Sequence, residues 1–407
     1  MESSSGPLNS TENSEESVDW KSDENQIFLN PRLNDELQGH YRKIFREACY
    51  RHAIKGHLGF LTSGTTVTDP RGYKLVFISK SAFLNSAQAV NKTLLVGAKD
   101  IWLQCLPRFH VGGMAIEARA HVGGFQVVRY NGTWNAHKFH LLAESSGATF
   151  TSMVPTQVYD VVKNKLPSPR KLRVLVGGGR LSPIVAKQAQ DLKWQLLLSY
   201  GLTELGSTVA MIEMDALRPL PHVSLDIVEG RLAIRSSSLF TAYAQVIKGQ
   251  IELTKPSLKN GFFITEDSVT KMNQKILLLG RSQDVVKVLG ELVSLPRVRD
   301  EWFAFCDLAY AHNFHILSVA DPRTENKIVM VVQKDEKMRD HKVVTGYSPL
   351  PALRQQFQEF QEKVMPFERV QNIYVIDKIP RTDLGKVQDK IISDMIEKGQ
   401  LHEIKFS

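Results

Sequence analysis

Short apolar runs alternate with longer amphipathic stretches between residues 74 and 199, and this alternation limits the possible folds more than any other feature of the chain. Short apolar runs bounded by turn residues are typical of buried strands, and apolar residues spaced three and four apart are typical of helices. Strands and helices that alternate in this way indicate a layered α/β domain. The sequence predicts strands over 74–78, 100–105, 124–130, 148–153, 172–176 and 195–199, and helices over 81–95, 135–146, 155–164 and 182–192.

Outside residues 74–199 this regular alternation is lost. Short strands and turns follow residue 220, and past Gly280-Arg281 the chain begins a new series of strand and helix patterns. The further predicted elements are a helix within 33–53, antiparallel sheet from the pair 225–235 and 241–254, strand–helix–strand patterns over 302–333, a helix over 350–364 and a strand over 371–376.

These changes predict the domain organisation. We expect a large α/β domain over residues 27–282 and a small α+β domain over residues 283–407, with the boundary near Gln283-Asp284. Residues 1–26 are rich in Ser, Glu and Asn and bury little apolar surface, so we expect a disordered tail there.

Composition excludes several classes of protein. The 407 residues are 43% hydrophobic, which is enough for a buried core. The three cysteines, Cys49, Cys105 and Cys306, lie far apart without metal-ligand spacing, so neither a disulfide framework nor a zinc site is expected, and a reduced cytoplasm fits. No apolar run approaches membrane-spanning length, and the acidic, polar N-terminus does not resemble a signal peptide.

The net charge of +8 leaves the class of ligand open. Basic residues are scattered among acidic ones, and nothing resembles a helix-turn-helix, a zinc finger or an aromatic-studded basic sheet, so nucleic acid is not an expected partner. A positive surface of this kind is either simply solvated or attracts small polyanions.

A group of six short motifs follows a fixed order along the chain. The first, FLTSGTT (60–66), has the glycine and hydroxyl residues of a turn that binds phosphate, although such clusters are also common in ordinary loops. The others are LPRFHVGG (106–113), VGGGR (176–180), SYGLTE (199–204), GFFITED (261–267) with Gly280-Arg281, and IPRTDLGK (379–386).

In these motifs the chain resembles the adenylate-forming acyl- and aryl-CoA synthetases, over about residues 58–390. It is most similar to the o-succinylbenzoate–CoA ligase branch, which makes a menaquinone precursor, in VPTQ (154–157) and YGLTELGSTV (200–209). The resemblance implies a two-step reaction: a carboxylate and ATP give an acyl adenylate and pyrophosphate, and the thiol of CoA then displaces AMP. It also implies Mg²⁺ as a cofactor and a mobile C-terminal domain on a large α/β domain.

The resemblance further implies a set of site residues. Lys386 would be the catalytic cation, His110 would lie at the acyl pocket and the path for CoA, and Glu204 would bind Mg²⁺. An isolated lysine in a turn is otherwise a surface residue, and a histidine after an aromatic residue is often structural. The implied ATP contacts are Thr62, Ser63, Gly64, Thr65, Thr66, Gly177, Gly178, Gly179, Tyr200, Gly201, Thr203, Asp267 and Arg281; the acid contacts are His110, Gly112, Gln157, Ser207 and Thr208; and the hinge is Gln283 and Asp284.

Four departures from the family pattern stand out. Val67 replaces the glycine of the phosphate loop, which also gains one residue, and Arg71 replaces the usual lysine. The region before this loop is short for the family. Leu289 stands where a glycine is usual, and Gln283 replaces one acidic residue of the hinge.

Two functions of different classes follow from these observations. The first is an ATP-dependent acid–CoA ligase of the o-succinylbenzoate type, or one for another aryl or acyl acid. The second is a degenerate relative that binds a nucleotide, an acyl adenylate or a partner without turnover. The sequence fixes neither the acid nor the oligomeric state.

Overall fold

The computed structural model describes residues 17–62, 70–306, 313–334, 351–382 and 385–404. The helices are α1 (Asp35–Arg51), α2 (Lys80–Leu94), α3 (Val111–Gly123), α4 (Ala136–Ser146), α5 (Pro155–Lys163), α6 (Pro183–Asp191), α7 (Leu295–Phe305), α8 (Pro351–Lys363) and α9 (Asp389–Glu397). The strands are β1 (Gln26–Phe28), β2 (His57–Thr62), β3 (Lys74–Ser79), β4 (Ile101–Gln104), β5 (Gln126–Arg129), β6 (Phe150–Met153), β7 (Arg173–Val176), β8 (Gln195–Leu202), β9 (Ser207–Glu213), β10 (Ala216–Pro219), β11 (Val223–Val228), β12 (Arg231–Ser236), β13 (Ala242–Ile247), β14 (Gln250–Thr254), β15 (Leu258–Lys259), β16 (Phe262–Met272), β17 (Lys275–Arg281), β18 (Val285–Val288), β19 (Glu291–Ser294), β20 (Phe314–Asp321), β21 (Glu325–Gln333), β22 (Val370–Ile376) and β23 (His402–Ile404).

The largest sheet has a parallel half and an antiparallel half. Strands β5, β4, β6, β7 and β8 are parallel neighbours, as the alternation of apolar runs and amphipathic stretches predicts. From β8 the sheet continues antiparallel through β9, β10, β17, β16, β12 and β11. Trp102 and Leu103 are adjacent in β4 and therefore face opposite sides, so each joins a different buried apolar cluster. The parallel half is thus covered by helices on both faces, which is where its apolar strands require them.

A smaller sheet of the order β1-β2-β3-β13-β14 packs beside the first. The rings of Phe45 in α1 and Phe77 in β3 stack at 5.1 Å and help to hold α1 on one face. The other face, which includes Phe60 and Val76, packs on α2 and α3.

The C-terminal residues form a separate sheet with its own core. Strands β20, β21, β22 and β23 are neighbours in that order. Trp302 of α7 packs edge-on against Phe314 and Phe360, so that α7 and α8 cover one face. Ile392 of α9 belongs to the cluster on the other face.

Several predictions of secondary structure need correction. The segments 225–235 and 241–254 do not pair with each other: each is mostly a hairpin, β11–β12 and β13–β14, in a different sheet. The turns Glu229-Gly230 and Lys248-Gly249 have two consecutive residues at positive φ, which suits a two-residue hairpin loop. In the region 302–333, helix α7 precedes an antiparallel pair of strands instead of separating them.

The predicted disordered tail is too long. Residues 1–16 lie outside the described residues, but Trp20 is only 8% exposed and packs against Phe83. The buried ammonium of Lys80 donates to the backbone oxygens of Asp19 and Ser22 at 2.7 and 3.1 Å. One tryptophan and this lysine therefore anchor a segment whose composition alone indicates disorder.

Candidate active site

The motifs converge at the carboxyl ends of the parallel strands. The chain leaves β4 toward Leu106, β6 toward Val154 and β7 toward Gly177, while Tyr200 lies near the end of β8. This edge of an open parallel sheet is the usual place for a ligand in α/β proteins. The fold therefore places four sequence motifs at one edge of the sheet.

The turn after β7 is glycine-rich because its backbone lies close to its neighbours. A Cβ at Gly177 would lie 3.0 Å from the hydroxyl of Ser199, and one at Gly178 would lie 3.3 Å from a methyl of Val154. Gly178 also has φ +79°, a conformation that favours glycine. The glycines thus allow close packing of this turn, and the assignment of Gly177, Gly178 and Gly179 to adenine stays a prediction.

Tyr200, Asp267 and Arg281 form one hydrogen-bonded group. The Tyr200 hydroxyl donates to Oδ2 of Asp267 at 2.5 Å, and Arg281 lies 3.8 Å from the same carboxylate. Asp267 and Arg281 are paired residues of β16 and β17. Burial and the charge of Asp267 raise the pKa of Tyr200 well above its ordinary value, so the phenol stays protonated and remains a donor. These three predicted ATP contacts are therefore neighbours in space.

Glu204 lies in a short helical turn, Thr203–Leu205, that directly follows β8. Its Oε1 accepts a hydrogen bond of 2.7 Å from the hydroxyl of Tyr243, and its backbone oxygen accepts one from Phe240. The carboxylate of Glu204 fits Mg²⁺ as a single protein ligand that acts together with substrate phosphates. No cluster of three or more His, Cys, Asp or Glu side chains occurs in the described ranges, and Mg²⁺ commonly uses one carboxylate together with substrate phosphates.

His110 begins helix α3 as its N-cap residue. Its ring lies 4.6 Å from that of Phe109. Gly113 is required by packing, because a Cβ there would lie 2.1 Å from the backbone oxygen of Pro107. The chain before α3 therefore folds tightly onto the first turn of the helix, and Gly112, near Leu106, lies on the same turn.

The remaining predicted acid contacts have structural partners. The side-chain oxygen of Gln157 accepts a hydrogen bond from the backbone N–H of Val154 and so caps α5. Ser207 has φ +113°, and it follows Gly206, which also has positive φ. The hydroxyl of Thr208 accepts a hydrogen bond of 3.3 Å from Arg119. Contact of Gln157, Ser207 and Thr208 with a substrate stays a prediction.

Arg119 is a feature that the sequence motifs do not reveal. Its side chain is 1% exposed, and its guanidinium lies 5.3 Å from the ring centre of Trp102. Burial lowers the pKa of Arg119 to about 10, so it is still charged at neutral pH. Among the described residues no carboxylate forms an ion pair with it, which is costly for a buried cation. The sequence did contain one signal of this buried charge, namely an arginine within the mostly apolar segment that forms α3.

The loop of Lys386 is closed by its own hydrogen bonds. Thr382 N–H donates to the backbone oxygen of Lys386 at 2.8 Å, and Arg381 donates to that of Gly385 at 2.9 Å. Gly385 has φ +75°, and a Cβ there would lie 2.6 Å from a methyl of Thr156. The loop therefore lies directly against helix α5 of the α/β region, with Asp383 and Leu384 outside the described residues.

Electrostatics connect Lys386 to the ATP group. Desolvation and then the charge of Arg281 lower the pKa of Lys386, while Asp284, Asp389 and Asp267 oppose this effect. The side chain is also exposed to solvent, and water screens these effects. Lys386 thus lies close enough to Asp267 and Arg281 for their charges to act on it.

Asp284 of the predicted hinge belongs to a half-buried ionic cluster. Arg299 contacts Asp284 at 3.3 Å and Asp389 at 3.1 Å, and His315 Nε2 lies 2.7 Å from Asp389. Burial and then the charge of Arg299 lower the pKa of His315, while Asp389 opposes this effect. Burial alone would raise the pKa of Asp389, but His315, Arg299 and Lys386 together lower it to about 2. The side chain of Gln283 lies outside the described residues.

This cluster predicts an acid-sensitive step in stability. The folded-state pKa of Asp389 is depressed, so its contribution is present above its ordinary pKa of 3.8 and is lost as pH falls toward about 2. We expect Asp389→Asn to cost about 1–2 kcal/mol at pH 6 and almost nothing at pH 2. Urea unfolding at both pH values measures the difference; an equal cost at both would contradict it. Asp394→Asn, which removes an exposed i,i+4 ion pair, is the matched control.

A second ion pair joins the same two regions at their surface. Arg180, which follows the glycine turn, contacts Asp300 of α7 at 2.7 Å. The described structure therefore has α7 and the Lys386 loop both in contact with the α/β region.

The phosphate loop is described only at its start. Thr62 ends β2, whereas Ser63, Gly64, Thr65, Thr66 and also Val67 lie outside the described residues. Arg71, the residue in place of the family lysine, pairs with Glu36 of α1 at 2.5 Å.

Comparison with known proteins identifies similar sequences. Residues 60–243 match the family of AMP-binding enzymes. The 2-succinylbenzoate–CoA ligase of Escherichia coli is 31% identical over 287 residues, which are 69% of this chain and 59% of that protein. The ligase of the same name from Salmonella typhimurium is 31% identical over 57% of this chain and 48% of that protein. The chain thus spans about half of the length of these relatives.

Solved structures show the same fold. A variant of E. coli MenE with bound OSB-AMS has a TM-score of 0.61 and 26% identity, over 78% of this chain and 65% of that one. The Bacillus subtilis o-succinylbenzoate CoA synthetase with ATP and magnesium has a TM-score of 0.65 and 18% identity, over 81% and 68%. No helix in the described part of the chain is long and apolar enough to span a membrane. The chain therefore has the fold of the adenylate-forming enzymes, and its residues 60–243 match the family of AMP-binding enzymes.

Proposed function

We propose that the protein is an AMP-forming acid–CoA ligase that uses ATP, Mg²⁺ and CoA, with o-succinylbenzoate as its acid. The observation that carries this proposal is the position of Lys386, whose ammonium is within electrostatic reach of the Asp267–Arg281 pair. Two relatives that are 31% identical are named 2-succinylbenzoate–CoA ligases, which supports the choice of acid.

The site residues suit the first step. The acid carboxylate forms a bond to the α-phosphorus of ATP, and the bond to the pyrophosphate oxygen breaks. Two anions must meet, so a cation between them lowers the barrier, and Lys386 supplies it. Asp267 accepts from, and Arg281 donates to, the ribose hydroxyls. Glu204 would hold Mg²⁺, which would offset phosphate charge when bound.

The second step requires access for CoA. Its thiolate attacks the acyl carbon, and AMP leaves with the bonding electrons. Residues 283–407 act as a small domain that carries Lys386 away after the first step, turning about Gln283 and Asp284. The cluster of Arg299 with Asp284 and Asp389 couples this hinge to the lysine loop.

Arg119 supports an acid with a second carboxylate. It is a buried cation without a carboxylate partner among the described residues, and it contacts Thr208, a predicted acid contact. o-Succinylbenzoate carries one carboxylate for adenylation and another that would offset this charge. A monocarboxylic acid would leave the guanidinium unpaired.

The test is a panel of carboxylic acids in an assay of pyrophosphate release, followed by addition of CoA. We expect turnover with o-succinylbenzoate and little with benzoate. Turnover of a different acid alone would overturn the choice of acid. Tight binding of an acyl-sulfamoyl adenosine without turnover of any acid would instead favour the degenerate binding protein.

The same assay tests the role of Arg119. We expect Arg119→Met, which keeps much of the buried volume, to raise KM for o-succinylbenzoate about tenfold, as expected for loss of a charge-assisted hydrogen bond. KM for benzoate should change little. An equal increase for both acids would indicate a packing defect and contradict the assignment.

A further inference from the structure

Lys74 is a cation beside Thr62, and none of the motifs includes it. It is the first residue of β3 and pairs with Thr62, the last residue of β2. Two residues later, Val76 is buried with Phe60 in the cluster that Tyr243 also joins, so Lys74 lies on the same face of the sheet. Its Nζ is 5.0 Å from the ring centre of Tyr243.

Tyr243 connects this cation to the predicted magnesium ligand. Its hydroxyl donates to Glu204 Oε1 at 2.7 Å. Tyr243 therefore contacts both the Lys74 ammonium, through its ring, and the Glu204 carboxylate, through its hydroxyl.

Arg71 and Lys74, two cations close together in the chain, differ in their partners. Arg71 pairs with Glu36 at 2.5 Å, on the side of helix α1. Lys74 forms no ion pair with any residue that the structure describes, and its side chain is exposed. An ammonium is a good point charge for phosphate oxygens, and one held over an aromatic ring is already oriented.

We propose that Lys74 binds the terminal phosphates of a nucleoside triphosphate whose Mg²⁺ is held at Glu204, and that Tyr243 is the positioning residue for that carboxylate. This inference rests on the proposed function, since it requires that ATP binds at this site. It replaces the expected role of the phosphate-loop cation at Arg71 with a residue of the neighbouring strand.

Calorimetry with the full chain tests the first part, using MgATP and an acyl-sulfamoyl adenosine, which lacks the terminal phosphates. We expect Lys74→Gln to weaken MgATP binding about tenfold and to leave binding of the analogue within about twofold. Arg71→Gln should weaken MgATP binding less than Lys74→Gln. Lys271→Gln, which removes an exposed charge from β16, is the control for net charge.

The outcomes separate this inference from the proposed function. If wild-type protein binds both ligands and Lys74→Gln binds MgATP equally well, or loses affinity for both ligands alike, only the inference is overturned. A larger loss of MgATP affinity with Arg71→Gln than with Lys74→Gln also overturns the inference. If the wild type binds neither ligand, the proposed function fails, and the inference fails with it.

Tyr243→Phe tests the second part, because it keeps the ring beneath Lys74 and removes the hydrogen bond to Glu204. We expect half-maximal ATP binding to require severalfold more Mg²⁺, while binding of the analogue is unchanged. A purely structural role would lower the melting temperature and weaken both ligands equally. An unchanged Mg²⁺ requirement would overturn the positioning role.

Discussion

Lys386→Ala is expected to slow pyrophosphate release from ATP and o-succinylbenzoate by about 10²–10³-fold, the usual effect of removing one group that stabilises developing charge. The reason is its location: the loop lies against Thr156 of α5, and the ammonium is within reach of the charges of Arg281 and Asp267. KM for either substrate should change much less than kcat, because the contact matters most where the two anions react.

The control for this prediction is Lys378→Ala, an exposed lysine in the turn before the same loop. It should leave the rate within about twofold, as expected for a surface substitution away from the site. Formation of the thioester from a supplied acyl adenylate and CoA should survive in Lys386→Ala. A variant that loses both half-reactions, or a control that loses as much as Lys386→Ala, would contradict the assignment.

The parallel half of the large sheet could be predicted because each strand carries its own signal. The run Val174–Val176 in β7 is apolar throughout, since both faces of this strand are covered. Helix α3 was not predicted, because Gly112 and Gly113 lower its intrinsic helix propensity and the helix depends on close packing against Pro107. Packing of that kind is not visible in a local pattern.

The site likewise combines residues that the sequence could indicate with contacts that it could not. The motif residues Tyr200, Asp267 and Arg281 could be grouped by resemblance, and the structure brings them together. The sequence did not indicate the buried charge of Arg119 or the contact of Tyr243 with Glu204. Both depend on pairs far apart in the chain, and β13 reaches the site only because it pairs with β3.

Gly201→Ala is the second change with a large expected effect, in this case on folding. A Cβ at Gly201 would lie 1.9 Å from the backbone oxygen of Ser207, a distance that no rotamer change can relieve. We expect a loss of about 3 kcal/mol or more in the free energy of unfolding, measured by urea denaturation, because backbone atoms of β8 and β9 must move apart.

The location of Gly201 explains why this clash matters for function as well as stability. The pairing of β8 with β9 is irregular between Tyr200 and Gly201, and this irregularity allows the chain to turn into the segment that carries Glu204. Gly97→Ala is the matched control, because a Cβ there meets no atom within 4 Å, and it should be neutral or slightly stabilising. Equal unfolding free energies for the two variants would mean that β9 can shift freely, and the close approach of the strands would then not be what orients Tyr200 and Glu204.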